Sequence, residues 1–338
     1  MDWDTIDWGA LERLRAGFIA GTAGATDYWR SESDLVSYDQ TFAQRIGWKW
    51  DFVLAELKAR GWQPPRGEAV DWGCGTGIAT RAVLVNFGVT AMDRVALCDR
   101  SPLAMKFAAQ RVRRLAPDLP VWLETAPPAR ADLLLISHVL TELSAPQEQQ
   151  LIALARAATA VIWVEPGTFD CSRRLIAIRE QLRDTQQIVA PCTHRQTCGI
   201  RLESNAPHWC HFFASSPPET FTDRHWARFA KETGIDLRSL PVSYLVLDRR
   251  PPAEAPVGTV RVIGSARLRK GHALVLGCDA AGVRECRLTK RVLPEQFTQF
   301  RKGTAPTLQI WRRNDDEIME SAPASSASLA GQSLKHGD

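Results

Sequence analysis

Three glycines and two aspartates have the residue types and the spacing of a nucleoside-binding loop. Asp71 opens the run DWGCGTG, in which Gly73, Gly75 and Gly77 follow a predicted strand and lead into a predicted helix. Glycines let the backbone approach a ligand closely, and the helix N-terminus behind them favours polar or anionic groups. Asp99 ends the next predicted strand, where a carboxylate can accept hydrogen bonds from both ribose hydroxyls. The loop and Asp99 together predict a nucleoside site.

The glycine spacing separates two kinds of nucleoside site. The dinucleotide fingerprint G-x-G-x-x-G fits poorly, because the glycines alternate and position 78 is Ile. The form D-x-G-x-G-x-G instead resembles motif I of class I S-adenosylmethionine methyltransferases. That resemblance implies that Asp71 lies near the methionine amino group and that Asp99 binds the ribose. A tight turn that binds nothing is the structural alternative.

The predicted fourth strand, within ADLLLISHVLTEL, is where such enzymes place residues that face the substrate. It lacks the Asn/Asp-Pro-Pro-aromatic motif of nucleic-acid amino-methyltransferases. The pair Pro191–Cys192 lies beyond the fifth strand, so we do not interpret Cys192 as a cytosine-C5 nucleophile. His138 and Glu142 are the ionisable candidates in the segment, and we interpret them as a strand-end and a helix-start residue. The catalytic residues are therefore unknown, and whether the chain is an enzyme stays open.

Three cysteines in a Pro- and Gly-bearing loop have the residue type of a metal centre. Cys192, Cys198 and Cys210 lack the C-x2-C pairs of a zinc ribbon. Thiolates hold either tetrahedral zinc or an iron–sulfur cluster, and the fourth ligand must come from elsewhere in the chain. Cys278 ends a predicted strand and is the first choice, with Cys286 as its competitor. Three loop histidines keep a mixed zinc site open: His194, His208 and His211. Incidental thiols are the remaining alternative.

Composition excludes several classes of protein. The 338 residues are 45% hydrophobic and 24% charged, which is typical of a globular chain and not of a disordered chain, a fibre or a coiled-coil rod. No apolar run approaches the roughly 20 residues of a membrane span, and the N-terminal run resembles neither a signal nor a transit peptide. We therefore expect a cytoplasmic protein without a membrane partner, whose cysteines are thiols or metal ligands.

Alternating strand and helix patterns predict a parallel sheet with helices on both faces. The expected fold class is α/β, with a Rossmann-like class I methyltransferase domain over 67–248 that includes a cysteine loop at 190–212. An N-terminal helical region precedes it over 1–66. A basic β-rich extension follows over 249–314, and the Ser-, Ala- and Gly-rich tail over 315–338 is expected to be disordered.

The C-terminal extension carries most of the positive charge. Between Arg249 and Lys302 there are twelve Lys/Arg and four Asp/Glu, a net charge of +8, although the whole chain has only +4. Basic side chains on neighbouring strands suit a phosphate backbone, whereas a solvated strand face is the alternative. The residues predicted to bind RNA are Arg267, Arg269, Lys270, Arg287, Lys290 and Arg291.

Three motifs together resemble one family. EPGT at 165–168, followed by APC-x5-C and then WCHF, resembles the Rsm-twenty-two-like, or methyltransferase-like-seventeen, family of proteins that associate with the small ribosomal subunit. The resemblance implies a class I methyltransferase fold, small-subunit rRNA as partner, and a 4Fe-4S cluster. By position, the ligands of that cluster would be Cys192, Cys198, Cys210 and Cys278.

The resemblance predicts an rRNA-binding assembly or stability factor that binds S-adenosylmethionine and carries the cluster, with a monomer as the expected state. An active S-adenosylmethionine-dependent rRNA methyltransferase is the alternative. The intact glycine loop with Asp99 favours the alternative, and the absence of a catalytic motif on the fourth strand favours the assembly factor.

Overall fold

The computed structural model describes residues 3–21, 27–126, 128–251 and 255–324. The chain divides into two compact units, each built from separate stretches of sequence. Unit 1 consists of Met1–Glu56, Gln63–Pro166 and Phe213–Val242. Unit 2 consists of Leu57–Trp62, Gly167–Phe212 and Ser243–Asp338.

The helices and strands are as follows in chain order. The elements up to the fifth strand are α1 (Trp8–Ile19), α2 (Glu32–Gln40), α3 (Phe42–Ala59), β1 (Glu68–Trp72), α4 (Ile78–Phe87), β2 (Arg94–Cys98), α5 (Pro102–Leu115), β3 (Val121–Glu124), β4 (Leu133–Ser137), α6 (Ala145–Ala157) and β5 (Ala160–Pro166). The later elements are α7 (Phe169–Leu182), β6 (Gln187–Ala190), β7 (Phe212–Ala214), α8 (Arg224–Thr233), β8 (Leu240–Asp248), β9 (Thr259–Arg269), β10 (His272–Asp279), β11 (Gly282–Thr289), α9 (Pro294–Lys302), β12 (Leu308–Asn314) and β13 (Glu317–Pro323).

The sheet of unit 1 has the strand order β3-β2-β1-β4-β5, and all of these pairs are parallel. The central strands are short apolar runs, and residues 133–136 of β4 are completely buried, as expected for strands covered on both faces. The chain order reverses between β1 and β4, which creates a crevice at their carboxyl ends. This arrangement confirms the predicted Rossmann-like class I methyltransferase fold.

Two glycines of the loop after β1 are required by close packing. A Cβ atom on Gly73, whose φ is 67°, would lie 2.8 Å from Cγ1 of Val139. A Cβ atom on Gly77, whose φ is 75°, would lie 3.1 Å from the Cβ of Ala108 on α5. Positive φ and short contacts both exclude larger residues, so the loop can lie flat against the turn after β4.

The predicted N-terminal helical region forms α1, α2 and α3. Asp7 and Ser31 cap the first two helices, since their side chains accept hydrogen bonds from the backbone N–H groups of Ala10 and Asp34. Leu14 of α1 packs in one apolar cluster with Leu35, Phe107 and Trp29. This cluster joins the helical region to α5 within unit 1.

The C-terminal part of unit 2 is a closed barrel with the strand order β10-β11-β13-β12-β9. Helix α9 connects β11 to β12, and β11 pairs with β13 in parallel. This five-stranded Greek-key order with a helix between the third and fourth strands is that of an OB-fold. Its interior is filled by apolar side chains, among them Val260, Val275, Cys286, Trp311 and Ile318.

The structure corrects one prediction about the C-terminal tail. Residues 317–323, expected to be disordered, form β13, which pairs with β12 and closes the barrel. The sequence EIMESAP is polar because only Ile318 of this strand is fully buried in the interior. Residues 325–338 of the predicted tail lie outside the described residues. Within the described ranges, no helix combines the length and the apolar character of a membrane span.

Candidate functional site

A cavity of about 280 Å³ lies at the carboxyl ends of β1, β2 and β4 in unit 1. Open α/β sheets bind their ligands at this edge, where the strand order reverses. Of the predicted nucleoside-site residues, Gly73, Gly75 and Asp99 line the cavity. Asp71 and Gly77 do not line it, since Asp71 is fully buried in β1 and Gly77 is the N-cap residue that precedes α4. The glycine loop and Asp99 therefore come together as the sequence predicts.

Asp99 lies at the edge of the cavity and is held by two backbone amides. Its Oδ2 accepts a hydrogen bond from the N–H of Gly75 at 2.9 Å, and its Oδ1 accepts one from Ser101 at 2.9 Å. Burial raises the pKa of this carboxyl group, and the two amide hydrogen bonds oppose that rise. The carboxylate is thus fixed in place and ties the end of β2 to the glycine loop.

Asp71 is a buried carboxyl group with one oxygen unused. Its Oδ2 accepts hydrogen bonds from Oγ1 of Thr80 at 2.7 Å and from the N–H of Thr80 at 3.3 Å. Its Oδ1 has no hydrogen-bond partner. Burial raises the pKa of Asp71 to about 7. The negative charge on Asp71 therefore depends on pH near neutrality, next to the glycine loop.

Much of the cavity wall consists of residues that the sequence pattern did not predict. Tyr28, Trp29 and Tyr38 line it from the segment before α3. The guanidinium carbon of Arg100 lies 5.1 Å from the ring centroid of Tyr28, and Nη2 of Arg100 lies 3.4 Å from Oε2 of Glu142. Burial raises the pKa of Glu142 to about 7. The only sequence signal for this part of the cavity is the high density of aromatic residues near the N-terminus.

His138 and Glu142 both line the cavity, so the segment after β4 is part of this site. His138 has a φ of 57°. The turn that follows it is bound by Glu165, whose Oε1 accepts hydrogen bonds from the N–H groups of Val139 at 3.1 Å and Leu140 at 3.2 Å. Glu165 is the first residue of the EPGT motif, so this residue of the motif holds the turn after β4 in place.

In unit 2, Cys192, Cys198, Cys210 and Cys278 line one small cavity. Three come from loops around β6 and β7, and Cys278 comes from β10 of the barrel. The competitor Cys286 lies in the barrel interior instead. The structure thus brings the four predicted cysteines together and separates Cys286 from them.

The thiols are enclosed by buried polar groups. Arg179 of α7 donates a hydrogen bond from Nε to Sγ of Cys192 at 3.3 Å, and its Nη2 donates to the carbonyl oxygens of His194 and Gln196. Arg261, 1% exposed, donates from Nε to the carbonyl oxygen of Pro191 at 2.9 Å. Two buried guanidinium groups beside the thiols suit a negatively charged occupant.

Burial disfavours the thiolate form of three of these cysteines. Burial raises the pKa of Cys198 to about 11, and it raises the pKa values of Cys210 and Cys278 well above the ordinary thiol value. Metal binding would therefore release protons from these thiols. Within the part of the chain that the structure describes, no group of three or more His, Cys, Asp or Glu side chains is placed to hold one metal ion.

The three histidines considered as alternative metal ligands differ in their position relative to the cysteines. His194 lines the cysteine cavity, with Nε2 at 3.5 Å from Sγ of Cys278. His208 and His211 do not line it. The ring of His211 stacks on Trp209 with 4.4 Å between centroids, and its Nδ1 lies 3.0 Å from the carbonyl oxygen of Trp209. Of the three histidines, only His194 lies beside the predicted cysteine ligands.

The basic side chains predicted to bind RNA lie on one part of the barrel. Leu274 of β10 pairs with Arg267 of β9 and with Arg287 of β11, so these three residues form a row across neighbouring strands. At the end of the strands, the N–H of Lys290 donates to the carbonyl oxygen of Gly271 at 2.8 Å, which joins the two turns. All six predicted residues are exposed: Arg267, Arg269, Lys270, Arg287, Lys290 and Arg291. We call this set the basic face.

Comparison with known proteins gives one family. The model of the family described as mitochondrial small ribosomal subunit Rsm22 matches residues 51–305. No curated protein matches the chain.

Several solved structures are similar at low identity. Magnesium protoporphyrin IX methyltransferase (ChlM) from Synechocystis PCC 6803 with bound S-adenosylmethionine is 14% identical with a TM-score of 0.38, over 72% of this chain and 98% of that one. Precorrin-6y C5,15-methyltransferase from Geobacter metallireducens GS-15 is 14% identical with a TM-score of 0.36, over 59% and 88%. A methyltransferase from Geobacter sulfurreducens in complex with S-adenosyl-L-homocysteine is 14% identical with a TM-score of 0.34, over 60% and 90%.

Proposed function

The chain belongs to the family described as mitochondrial small ribosomal subunit Rsm22, and we propose that it is an rRNA-binding assembly or stability factor of the small ribosomal subunit. The observation that carries this proposal is the basic face. Six exposed cationic side chains lie on an OB-type barrel, an architecture whose second and third strands commonly bind oligonucleotides. We propose that the protein acts as a monomer in the cytoplasm.

The direct test is a titration of the purified protein with small-subunit rRNA across a range of salt concentrations. The logarithm of the affinity should fall linearly with the logarithm of the salt concentration, because bound phosphates release counterions. Large-subunit rRNA is the matched control for specificity. Equal affinity for both RNAs at every salt concentration would contradict a role on the small subunit.

We propose that the cavity of unit 1 binds S-adenosylmethionine. The residues fit this cofactor, since the cavity lies at the reversal of the strand order and carries the Asp99 carboxylate where a ribose would lie. The glycine loop would receive the amino-acid part of the cofactor. When bound, the cofactor supplies an electrophilic methyl group, whereas the residues of the chain bind and orient it.

Asp99→Ala is expected to weaken S-adenosylmethionine binding by about 1.5–3 kcal/mol, the scale of a hydrogen bond to a charged group. The substitution removes the acceptor for the ribose hydroxyls and releases the N–H of Gly75. Isothermal titration calorimetry measures the change. Asp118→Ala, an exposed acid of the same unit, is the control and should bind like the wild type. Equal affinity of Asp99→Ala and the wild type would contradict the ribose contact.

S-adenosylmethionine should bind more tightly as pH rises from 6 to 8. Asp71 has a pKa of about 7 because it is buried, so its negative charge appears over this range and attracts the cationic ammonium group of the cofactor. Going from mostly protonated to mostly ionised predicts a gain of about tenfold. Calorimetry at both pH values should show the gain lost in Asp71→Asn. Glu142 lines the cavity and also has a pKa of about 7 because it is buried, so Glu142→Gln is the comparison variant and should keep the gain. Loss of the gain in Glu142→Gln but not in Asp71→Asn would contradict the role of Asp71.

We propose further that Cys192, Cys198, Cys210 and Cys278 hold a 4Fe-4S cluster, with zinc as the alternative. Four thiols around one cavity, two of them buried and two half-buried, supply the donors, and two buried arginines supply the compensating charge. The four thiols surround a cavity, and a cluster spreads its ligands around a larger body than one ion does. The bound cluster would cross-link β10 of the barrel to the loops around β6 and β7.

An active rRNA methyltransferase is the second candidate function. The observation that favours it is the intact cavity, with the glycine loop, Asp99 and an ordered segment after β4. Transfer of a labelled methyl group to small-subunit rRNA tests it. Cofactor binding without transfer would favour the assembly factor.

A further inference from the structure

The two aromatic residues on either side of Cys210 belong to a row of three rings in unit 2. The ring of Trp209 stacks on that of His211, with 4.4 Å between centroids and 16° between planes. The ring of Phe169, the first residue of α7, meets the ring of Trp209 nearly edge-on at 5.8 Å. We call Phe169, Trp209 and His211 the aromatic row. Trp209 and His211 are half-buried, whereas Phe169 is 42% exposed, so the row reaches the surface at Phe169.

The rings of the aromatic row are held in place by the backbone around them. Nε1 of Trp209 donates a hydrogen bond to the carbonyl oxygen of Gly167 at 3.0 Å. His211 packs against β9 at Gly264, whose N–H donates to the carbonyl oxygen of His211 at 2.9 Å. A Cβ atom on Gly264, whose φ is 62°, would lie 2.8 Å from Cε1 of the His211 ring. Because these rings are already fixed, little side-chain freedom would be lost when a ligand stacks on the row.

The aromatic row lies next to the basic face on one outer surface of the barrel. The interior residues of β10 alternate with Leu274 and Leu276, which therefore face outward. Leu274 pairs with Arg267 of the basic face, and Leu276 pairs with Ile263 of β9. These two pairs are two residues apart on β10, or about 7 Å. Ile263 packs in one cluster with Cys210, so the loop that carries the aromatic row covers this same outer surface.

Exposed rings beside exposed cationic side chains suit a single-stranded nucleic acid. Cationic side chains contact its phosphates, and aromatic rings stack with its bases whatever their sequence. In a duplex the bases are paired and stacked on each other, so few of them are available to a ring on the protein surface. The guanidinium carbon of Arg173 lies 5.1 Å from the ring centroid of Phe169, and a guanidinium plane also stacks with bases. Bracing of the loop around Cys210 accounts for Trp209 and His211, but it does not account for the exposed ring of Phe169.

We propose that the aromatic row, through Phe169 and Trp209, is a stacking platform for an unpaired base of rRNA whose neighbouring phosphates contact the basic face. This inference rests on the proposed binding of rRNA by the barrel, and it deepens that proposal because it defines the bound RNA as a single strand. It gives the WCHF motif two roles, a proposed metal ligand at Cys210 and an RNA contact at Trp209. Bases supply the stacking and phosphates supply the charge, so an experiment can separate the two contributions.

The test measures the binding of a uridine oligonucleotide by fluorescence anisotropy, first as a single strand and then paired with its adenosine complement. The wild type should bind the single strand more tightly than the duplex. Phe169→Ala should weaken binding of the single strand by about fivefold or more, the loss expected when one stacking ring is removed, and should leave binding of the duplex unchanged. The dependence of its affinity on salt should stay as in the wild type, because no phosphate contact is lost. Phe169→Tyr, which keeps an aromatic ring, should restore the affinity for the single strand.

Trp122→Ala is the matched control, since Trp122 is an aromatic residue of unit 1 that is 47% exposed, and this variant should bind RNA like the wild type. Wild-type affinity of Phe169→Ala for the single strand would overturn the stacking platform while leaving rRNA binding by the basic face intact. A loss of affinity that is accompanied by a loss of bound metal would also overturn it, because the aromatic row would then only brace the loop around Cys210. A wild type that binds neither the single strand nor the duplex would overturn the proposed rRNA binding and this inference with it.

Discussion

Protein with Cys278→Ser, purified without oxygen, is expected to lose its iron and acid-labile sulfide, whereas Cys286→Ser is expected to keep both. Cys278 lines the cavity with the three loop cysteines, and Cys286 lies in the barrel interior. A hydroxyl is a poor replacement for a thiolate ligand. Because both residues are buried cysteines of the barrel, Cys286→Ser is a matched control for the effect of the substitution on folding.

The same variant should lose most of its affinity for rRNA while unit 1 stays folded. Cys278 is on β10, which lies between β9 and β11 of the basic face, and none of the four cysteines belongs to unit 1. Metal analysis, absorption spectra and cofactor binding measure these effects. Stoichiometric zinc without iron would contradict the iron–sulfur cluster, but the four cysteines would remain the proposed metal ligands. Iron retained in Cys278→Ser and lost in Cys286→Ser would show that the fourth ligand is misassigned.

Reversing three charges of the basic face should weaken rRNA binding and flatten its salt dependence. Arg267, Arg269 and Lys270 are exposed on β9 and the turn after it, so changing them to Glu removes three candidate phosphate contacts. Each contact with a single strand contributes about 0.7 to the slope of log affinity against log salt concentration, so the slope should fall by about 2. Fluorescence anisotropy over a salt series measures both quantities.

The control for this variant carries the same charge change in unit 1. Lys106, Arg114 and Arg130 are exposed there, and their replacement by Glu should leave the slope close to that of the wild type. If the control loses as much affinity as the barrel variant, overall charge rather than the basic face determines binding. If the barrel variant keeps its slope, the basic face is only a solvated surface.

The parts of the site that the sequence predicted are those that depend on local geometry. A strand, a glycine turn and a helix follow each other within a few residues around Gly75, and Asp99 ends the neighbouring strand. The cysteines were predicted from residue type and family resemblance. The structure agrees with the choice of Cys278 over Cys286. Side chains alternate between the two faces of a strand, and Cys286 of β11 points into the barrel interior whereas Cys278 of β10 points out of it.

The parts that were missed depend on contacts between distant residues. Tyr28 reaches the cavity from a segment that precedes β1 by some forty residues, and no local pattern indicates that it does. The positive φ of His138 could not be predicted either, because φ is invisible in a sequence and the turn depends on Glu165 of another strand. Strand β13 was missed because its buried residue, Ile318, stands among polar neighbours.

The interleaving of the two units has a consequence for how the chain is made. All the segments of unit 1 have been translated once residue 242 has emerged, whereas the barrel of unit 2 still needs β13 at residues 317–323. Until then β11 and β12 each lack a partner strand, and unpaired strand edges invite association with other chains. We therefore expect the nascent protein to be most exposed to aggregation late in translation, after unit 1 is complete and before the barrel closes.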